Sequence, residues 1–321
     1  MTLLPAARPG AAIEPDGRLI VEAMEYPWSA IGRVNAGGRA YCTGFLIGIR
    51  QVMTAAHCLY DAIEGRWWAA SELHFVAGYQ RDQYVIHSDV GHYERSARFD
   101  PAAEGTSENA LADWAILTLA EPIGQAAGWL GLKVLDEPSI AAVGRGSALL
   151  LQAGYRSGRA HALTANRGCR VVGLFGQARG IVHDCPVYHG DSGSPLMLLA
   201  GGRIWVVGLQ VVRTKRKSSD AEVAGAVSAT VFRQDFEPQA VRAMKSIPGV
   251  WGTGRSPAPD SPAVAQPRKT IAGLLARLGY LTSEDSGDRT AAIRAFERAQ
   301  GLPVTGAPSL ALLGQLLRAA P

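Results

Sequence analysis

The chain has 321 residues, of which 47% are hydrophobic and 19% charged, and a formal net charge of +4. That apolar fraction with so small a net charge excludes a disordered chain, and the mild basic balance does not mark a nucleic-acid binder. No stretch approaches the roughly 18–20 uninterrupted apolar residues of a membrane-spanning helix, and the length points to about two domains.

Residues 1–25 read as an N-terminal extension. Its opening, Met1 to Gly10, has no basic start followed by an apolar run, so it does not read as an intact secretory signal. Either the protein stays inside the cell or an export signal has been trimmed away. The cysteines favour export. They fall as two pairs of equal span, Cys42/Cys58 and Cys169/Cys185, and neither pair sits in the CxxC knuckle that zinc sites use. An even count in separated local pairs fits two disulfides and a periplasmic or extracellular location, with four buried free thiols as the alternative.

Residues 26–250 read as one β-rich domain. Short apolar runs recur between Gly, Asp and Asn punctuation: Tyr41–Ile49, Trp114–Leu119, Ala148–Gln152, Arg170–Phe175 and Ile204–Val212. This is the pattern of an all-β barrel or sandwich. A helical stretch, Pro238–Ile247, closes the region, and Arg213–Lys217 reads as a solvated basic hairpin loop. Residues 251–267 form a Pro-rich, semi-extended linker. After it the period changes from two to about 3.6. Three apolar faces follow: Ile271/Leu274/Leu275/Leu278, Ala292/Ile293/Phe296/Ala299 and Leu310/Leu313/Leu316/Leu317. Residues 268–321 are therefore expected as a small all-α, three-helix domain, with Gly279, Gly301 and Gly306 as helix stops.

Chemistry concentrates at three separated points. Gly190-Asp-Ser-Gly-Ser-Pro195 suits a serine nucleophile. Glycines on both sides of Ser192 permit a tight turn whose N–H groups can converge on an oxyanion, although an ordinary Gly/Ser turn has the same look. A serine needs a base, and Thr54-Ala-Ala-His57-Cys58 offers one among small residues. His74, His87, His92, His161, His183 and His189 read as structural or surface histidines. The third member must be a buried carboxylate that orients the imidazole. Asp113, at the head of an apolar run, is preferred to Asp100 and Asp89.

Taken together, these segments resemble the trypsin-like (chymotrypsin-fold) serine endopeptidases over about residues 26–247. The bacterial V8-like branch is the nearest in look, through Tyr26–Gly32, Thr43–Gly48 and the run to Cys185 ahead of the nucleophile. The resemblance implies an all-β double barrel of six strands each, with the cleft between the barrels. It makes His57 the general base, Asp113 its orienting carboxylate and Ser192 the acyl-forming nucleophile, with the N–H groups of Gly190 and Ser192 as the oxyanion hole. It requires no metal or organic cofactor, and the implied partner is a polypeptide substrate.

For specificity, the position of the acid that selects Lys or Arg in trypsins is held here by Pro186. The Thr and His of glutamate-selective V8-like enzymes are matched by Val187 and Gln210. A neutral pocket and an uncharged P1 residue are expected. Asp191 poses an activation question, because in trypsins the acid before the nucleophile pairs with a newly cut N-terminus. A cut after Arg18 would expose Leu19-Ile-Val21; the alternative is a solvated turn aspartate.

The C-terminal part resembles peptidoglycan-binding domains of cell-wall proteins, through Leu275–Tyr280, Thr290–Phe296 and Gly301–Gly306. That likeness implies peptidoglycan as a second partner. Two departures stand out: the loop Leu281–Asp288 lacks the usual Asp-Gly-x-x-Gly turn, and Glu297 stands where Gln is common. Three functions follow as expectations: a secreted or periplasmic serine endopeptidase, a catalytically silent wall-binding scaffold of the same fold, or a hydrolase of wall stem peptides.

Overall fold

The computed structural model describes residues 14, 16–103, 105–215, 222–231, 266–282 and 288–320. The sequence-predicted helix at 238–247, most of the linker, the tip of the basic hairpin and residues 283–287 lie outside the described residues.

Six antiparallel strands close the first barrel: Ile31–Ala36 (β1), Ala40–Leu46 (β2), Gln51–Thr54 (β3), Leu73–Ala77 (β4), Ile86–Arg95 (β5) and Ala115–Leu119 (β6). Their order around the barrel is β1-β2-β3-β6-β5-β4. Strand β4 shows why the chain adopts this form: Leu73, Phe75 and Ala77 are buried while His74 and Val76 alternate outward, the period-2 signature of a sheet with one face on a core.

The second sheet uses Leu149–Gly154 (β7), Thr164–Cys169 (β8), Val171–Phe175 (β9), Gly180–His183 (β10), Pro195–Ala200 (β11), Arg203–Lys215 (β12) and Glu222–Ser228 (β13). Among the described residues its hydrogen-bonded path is β8-β7-β11-β12-β13-β10-β9, an open order. Two additions, Leu19–Ile20 on β8 and Gly131–Leu132 on β12, raise the sheet to nine strands. The expectation of six strands in this half is thereby corrected. Residues 19 and 20, read as part of an extension, pair with Ala165 and Thr164. All five sequence-predicted strands exist, within a few residues of their expected ends. Two short helices, Ser107–Ala112 and Glu137–Gly144, interrupt the β pattern, each started by a side-chain cap from Thr106 or Asp136.

The C-terminal part contains three helices, Arg268–Arg277 (α1), Arg289–Ala299 (α2) and Leu310–Ala319 (α3). Their buried faces include Ile271, Leu274, Leu275, Ile293, Phe296, Leu313, Leu316 and Leu317. These residues belong to one continuous apolar core with the first barrel and with Leu199 of β11. Polar contacts cap the joint. The Glu25 carboxylate accepts from the N–H groups of Lys269 and Thr270 at the start of α1. The Arg167 guanidinium donates to the carbonyls of Leu317 and Ala320 at the end of α3. Each charge has the sign that complements the helix end it touches. Buried Glu297 accepts from the Thr305 and Gly306 N–H groups and the Thr305 hydroxyl, so its carboxylate fixes the loop before α3.

Candidate active site

His57 lies on a single helical turn, Ala56–Leu59, directly after β3. The Cys42–Cys58 disulfide ties that turn to β2, and Cys169–Cys185 forms the second bridge, so both expected pairings are present. Asp113 accepts twice from His57: from its backbone N–H at 2.9 Å and from Nδ1 at 2.6 Å. A carboxylate can only accept, so Nδ1 carries the proton and the Nε2 lone pair stays free. Asp113 is 5% exposed. It is the C-cap of the Ser107–Ala112 helix, two residues before β6, so a helix end and a strand start set its position together. Burial draws the imidazole pKa down, while the charge and hydrogen bond of Asp113 outweigh it and leave the pKa above its ordinary value. Asp89 is exposed beside His74 and Asp100 stays in an exposed turn; neither joins the site.

Ser192 is half-buried on the turn between β10 and β11. Gly190 and Gly193 have φ of +89° and +79°. A Cβ on Gly193 would fall 2.2 Å from the Thr43 carbonyl oxygen, and one on Gly190 would fall 2.3 Å from that of Tyr155. Only glycine fits either place. The turn is fastened to the first barrel: the Thr43 N–H donates to the Ser192 carbonyl at 2.9 Å, and Thr43 Oγ1 donates to the Gly190 carbonyl at 2.7 Å. Thr54, three residues before His57, donates its hydroxyl to the Thr43 carbonyl at 2.9 Å. The His57 turn and the Ser192 turn therefore share one anchor, Thr43, across the junction of the two sheets. The N–H groups of Asp191, Gly193 and Ser194 donate within the chain, whereas among the described residues no acceptor faces those of Gly190 and Ser192. Two free N–H groups flanking a hydroxyl can receive a developing oxyanion.

Of the three residues expected to form the pocket, Gln210 is bonded to the nucleophile turn: its N–H donates to the Ser194 carbonyl at 2.9 Å and its carbonyl accepts from Gly193 at 2.8 Å. Pro186 is exposed, yet its carbonyl accepts from Asn166 at 2.8 Å. Asn166 also donates to Gln152, which donates to the Ser194 hydroxyl. Val187 and Gln210 are buried. Gln210 Nε2 donates to the Val212 carbonyl, and its Oε1 meets His183 Nε2 at 2.8 Å. The Cys185 N–H donates to His183 Nδ1 at 3.3 Å, so His183 is the Nε2–H tautomer that donates to Gln210. Burial pushes its pKa down to about 4, and the imidazole is neutral.

Asp191 departs from both earlier readings. It is fully buried rather than solvated, and its partner is the Arg18 guanidinium rather than a new N-terminus. Gln152 and Asn166 carry no local sequence signal, and nothing in the sequence around Arg18, Thr43 or His183 shows the long-range contacts they make.

A closed barrel facing a second, mainly antiparallel sheet, with a His–Asp turn and a Gly-Asp-Ser-Gly turn both fastened to Thr43, has the chymotrypsin-type fold. The chain belongs to the trypsin family, whose match covers residues 20–233. It is 28% identical over 116 residues to a glutamyl endopeptidase of Bacillus licheniformis, an alignment covering 36% of this chain and 34% of that relative's length. A Glu endopeptidase solved in complex with MPD superposes with a TM-score of 0.54 at 18% identity, covering 71% of this chain and 98% of that one.

Proposed function

We propose that the protein is a serine endopeptidase that cleaves polypeptides through an acyl-enzyme. The observation that carries this reading is the doubly bonded His57–Asp113 pair anchored through Thr43 to the turn that bears Ser192 and two free N–H groups. His57 Nε2 takes the Ser192 proton as Oγ attacks the scissile carbonyl. The carbonyl oxygen gains negative charge against the N–H groups of Gly190 and Ser192. The imidazolium, stabilised by Asp113, then protonates the leaving amine; water repeats the sequence to free the acid.

The pocket favours an uncharged P1 residue. Pro186, Val187 and Gln210 bring no charge, and His183 behind Gln210 is neutral. The names of the two relatives point instead to glutamate. Cleavage of a peptide library separates these: dominant cutting after uncharged residues is expected, and dominant cutting after Glu, Lys or Arg overturns the pocket reading.

Two disulfides support an oxidising, periplasmic or extracellular location. The helical part is seated on the β-body, which supports a stabilising role. Wall attachment is tested by a pull-down of the full chain with insoluble peptidoglycan. The activity itself is tested by comparing the parent with Ser192→Ala on casein and on purified peptidoglycan. Casein cleavage abolished by the substitution is expected. Serine-dependent release of wall peptides alone would replace this reading with a wall hydrolase, and no turnover of either would leave the scaffold.

A further inference from the structure

We propose that Arg18 is a positioning residue for the oxyanion hole: an internal cation, carried by the uncut N-terminal strap, that holds Asp191 and with it the Ser192 turn in working shape. This rests on the serine endopeptidase reading above.

The pair is completely buried. Arg18 and Asp191 are both 0% exposed. They bond through both arms, Nη1 to Oδ2 at 2.5 Å and Nη2 to Oδ1 at 3.0 Å, the two-pronged match that a guanidinium makes with a carboxylate. Nη2 also donates to the Thr164 carbonyl at 3.0 Å. Asp191 in turn organises the nucleophile turn. Its Oδ2 accepts from the Tyr188 N–H at 2.9 Å, its own N–H donates to the Tyr188 carbonyl, and its carbonyl accepts from Ser194. Side chain and backbone of Asp191 thus tie Tyr188 to Ser194, and Gly190 and Ser192 lie between those two ties. A buried carboxylate stripped of its cation must rearrange or take up a proton. Either change would move the two N–H groups away from the oxyanion.

The strap that delivers Arg18 is itself fastened. The Glu14 N–H donates to the Arg18 carbonyl and the Gly17 N–H to the Glu14 carbonyl, both at 2.8 Å, closing a tight loop. The Glu14 carboxylate pairs with Arg156 and Arg159. Leu19–Ile20 then joins β8, and Val21 donates to the Leu163 carbonyl. Both the side chain and the carbonyl of Arg18 are engaged inside the fold, so cleavage after it would dismantle the pair instead of creating one.

The test uses the full chain with Arg18→Ala, Arg18→Lys and Arg18→Gln. Four readouts apply: kcat and KM on a peptide that the parent cleaves, the rate of Ser192 labelling by a fluorophosphonate, circular dichroism, and intact mass. Expected for folded Arg18→Ala is a fall in kcat and labelling rate of about 10²–10³-fold, the scale of losing one oxyanion donor. Arg18→Lys is expected to recover about tenfold or more of that loss, and active parent to retain an intact Arg18–Leu19 bond. A folded Arg18→Ala within about threefold of the parent, or activity confined to molecules that begin at Leu19, overturns the proposal. If Arg18→Ala does not fold, the other two decide: Lys about tenfold above Gln supports the charge, and equal activity overturns it. A parent with no Ser192-dependent cleavage or labelling takes down the endopeptidase reading as well, whereas an active parent matched by Arg18→Ala removes Arg18 alone.

Discussion

At the scale of single residues, the site depends on keeping one nitrogen unprotonated. Asp113 accepts from both the backbone and Nδ1 of His57, so it fixes ring orientation and tautomer together. The same carboxylate lifts the imidazole pKa above 6.5. A base must be neutral to act, so kcat/KM should rise with pH along a limb whose midpoint lies above that value. Asp113→Asn should move the limb downward and lower kcat on the order of 10⁴-fold, since an amide can stabilise the wrong tautomer. A pH–rate profile of both proteins checks this, and an unchanged limb would remove Asp113 from its assigned place. The three side-chain types and their chain order were legible in the sequence because each sits in a short, chemically constrained motif. Arg18 was legible only as a possible cut site, because a lone arginine beside an apolar run shows nothing of a partner 173 positions away.

Among the elements, the β pattern read cleanly where strands are apolar and poorly where one face is wet. Ile86–Arg95 is the longest strand of the first barrel, yet only Ser88 and Val90 in it are buried, so its composition resembles a loop. The helix Ser107–Ala112 was unreadable for another reason: its six residues show less than two helical turns. It nonetheless sets Asp113. The helix ends of the C-terminal part make a sharper test. Arg167 reaches out of β8 as a charged donor to two of the last carbonyls at the end of α3. Arg167→Ala should cost about 1.5–3 kcal/mol. Denaturant unfolding measures the loss, and catalytic constants should stay near the parent's, because this contact lies on the helical side of β8.

Across the whole molecule, the expected second domain is joined to the first by a shared core. Leu316→Ala, deep in that core at 0% exposure, should cost about 2–5 kcal/mol and lower the melting of the β-body along with the helices. Two separate transitions, with only the smaller one shifted, would mean independent folding. His183 adds a pH dependence. Its folded pKa, near 4, lies below its ordinary value of 6.5, so between these values the unfolded chain binds the proton and the folded chain does not. Stability therefore falls as pH drops from 6.5 to 4, by about 3 kcal/mol from this group when the drop is complete. Unfolding across that window should be steeper in the parent than in His183→Gln, and equal slopes would contradict the buried neutral imidazole.

From the residues alone came an all-β body followed by a helical part, through period-2 and period-3.6 patterning, and two candidate cysteine pairs. The double barrel and the candidate triad came through a family resemblance, carried by short motifs, one of which demands glycine at fixed places. Tertiary structure alone decided how the pieces are held. It bonded Thr43 to both the Ser192 turn and the segment that leads to His57, and it put His183 against Gln210, the three helices against the β-body and Arg18 onto Asp191. Those contacts join residues remote in the chain, and their energies come from burying charge and apolar surface that only the folded molecule encloses.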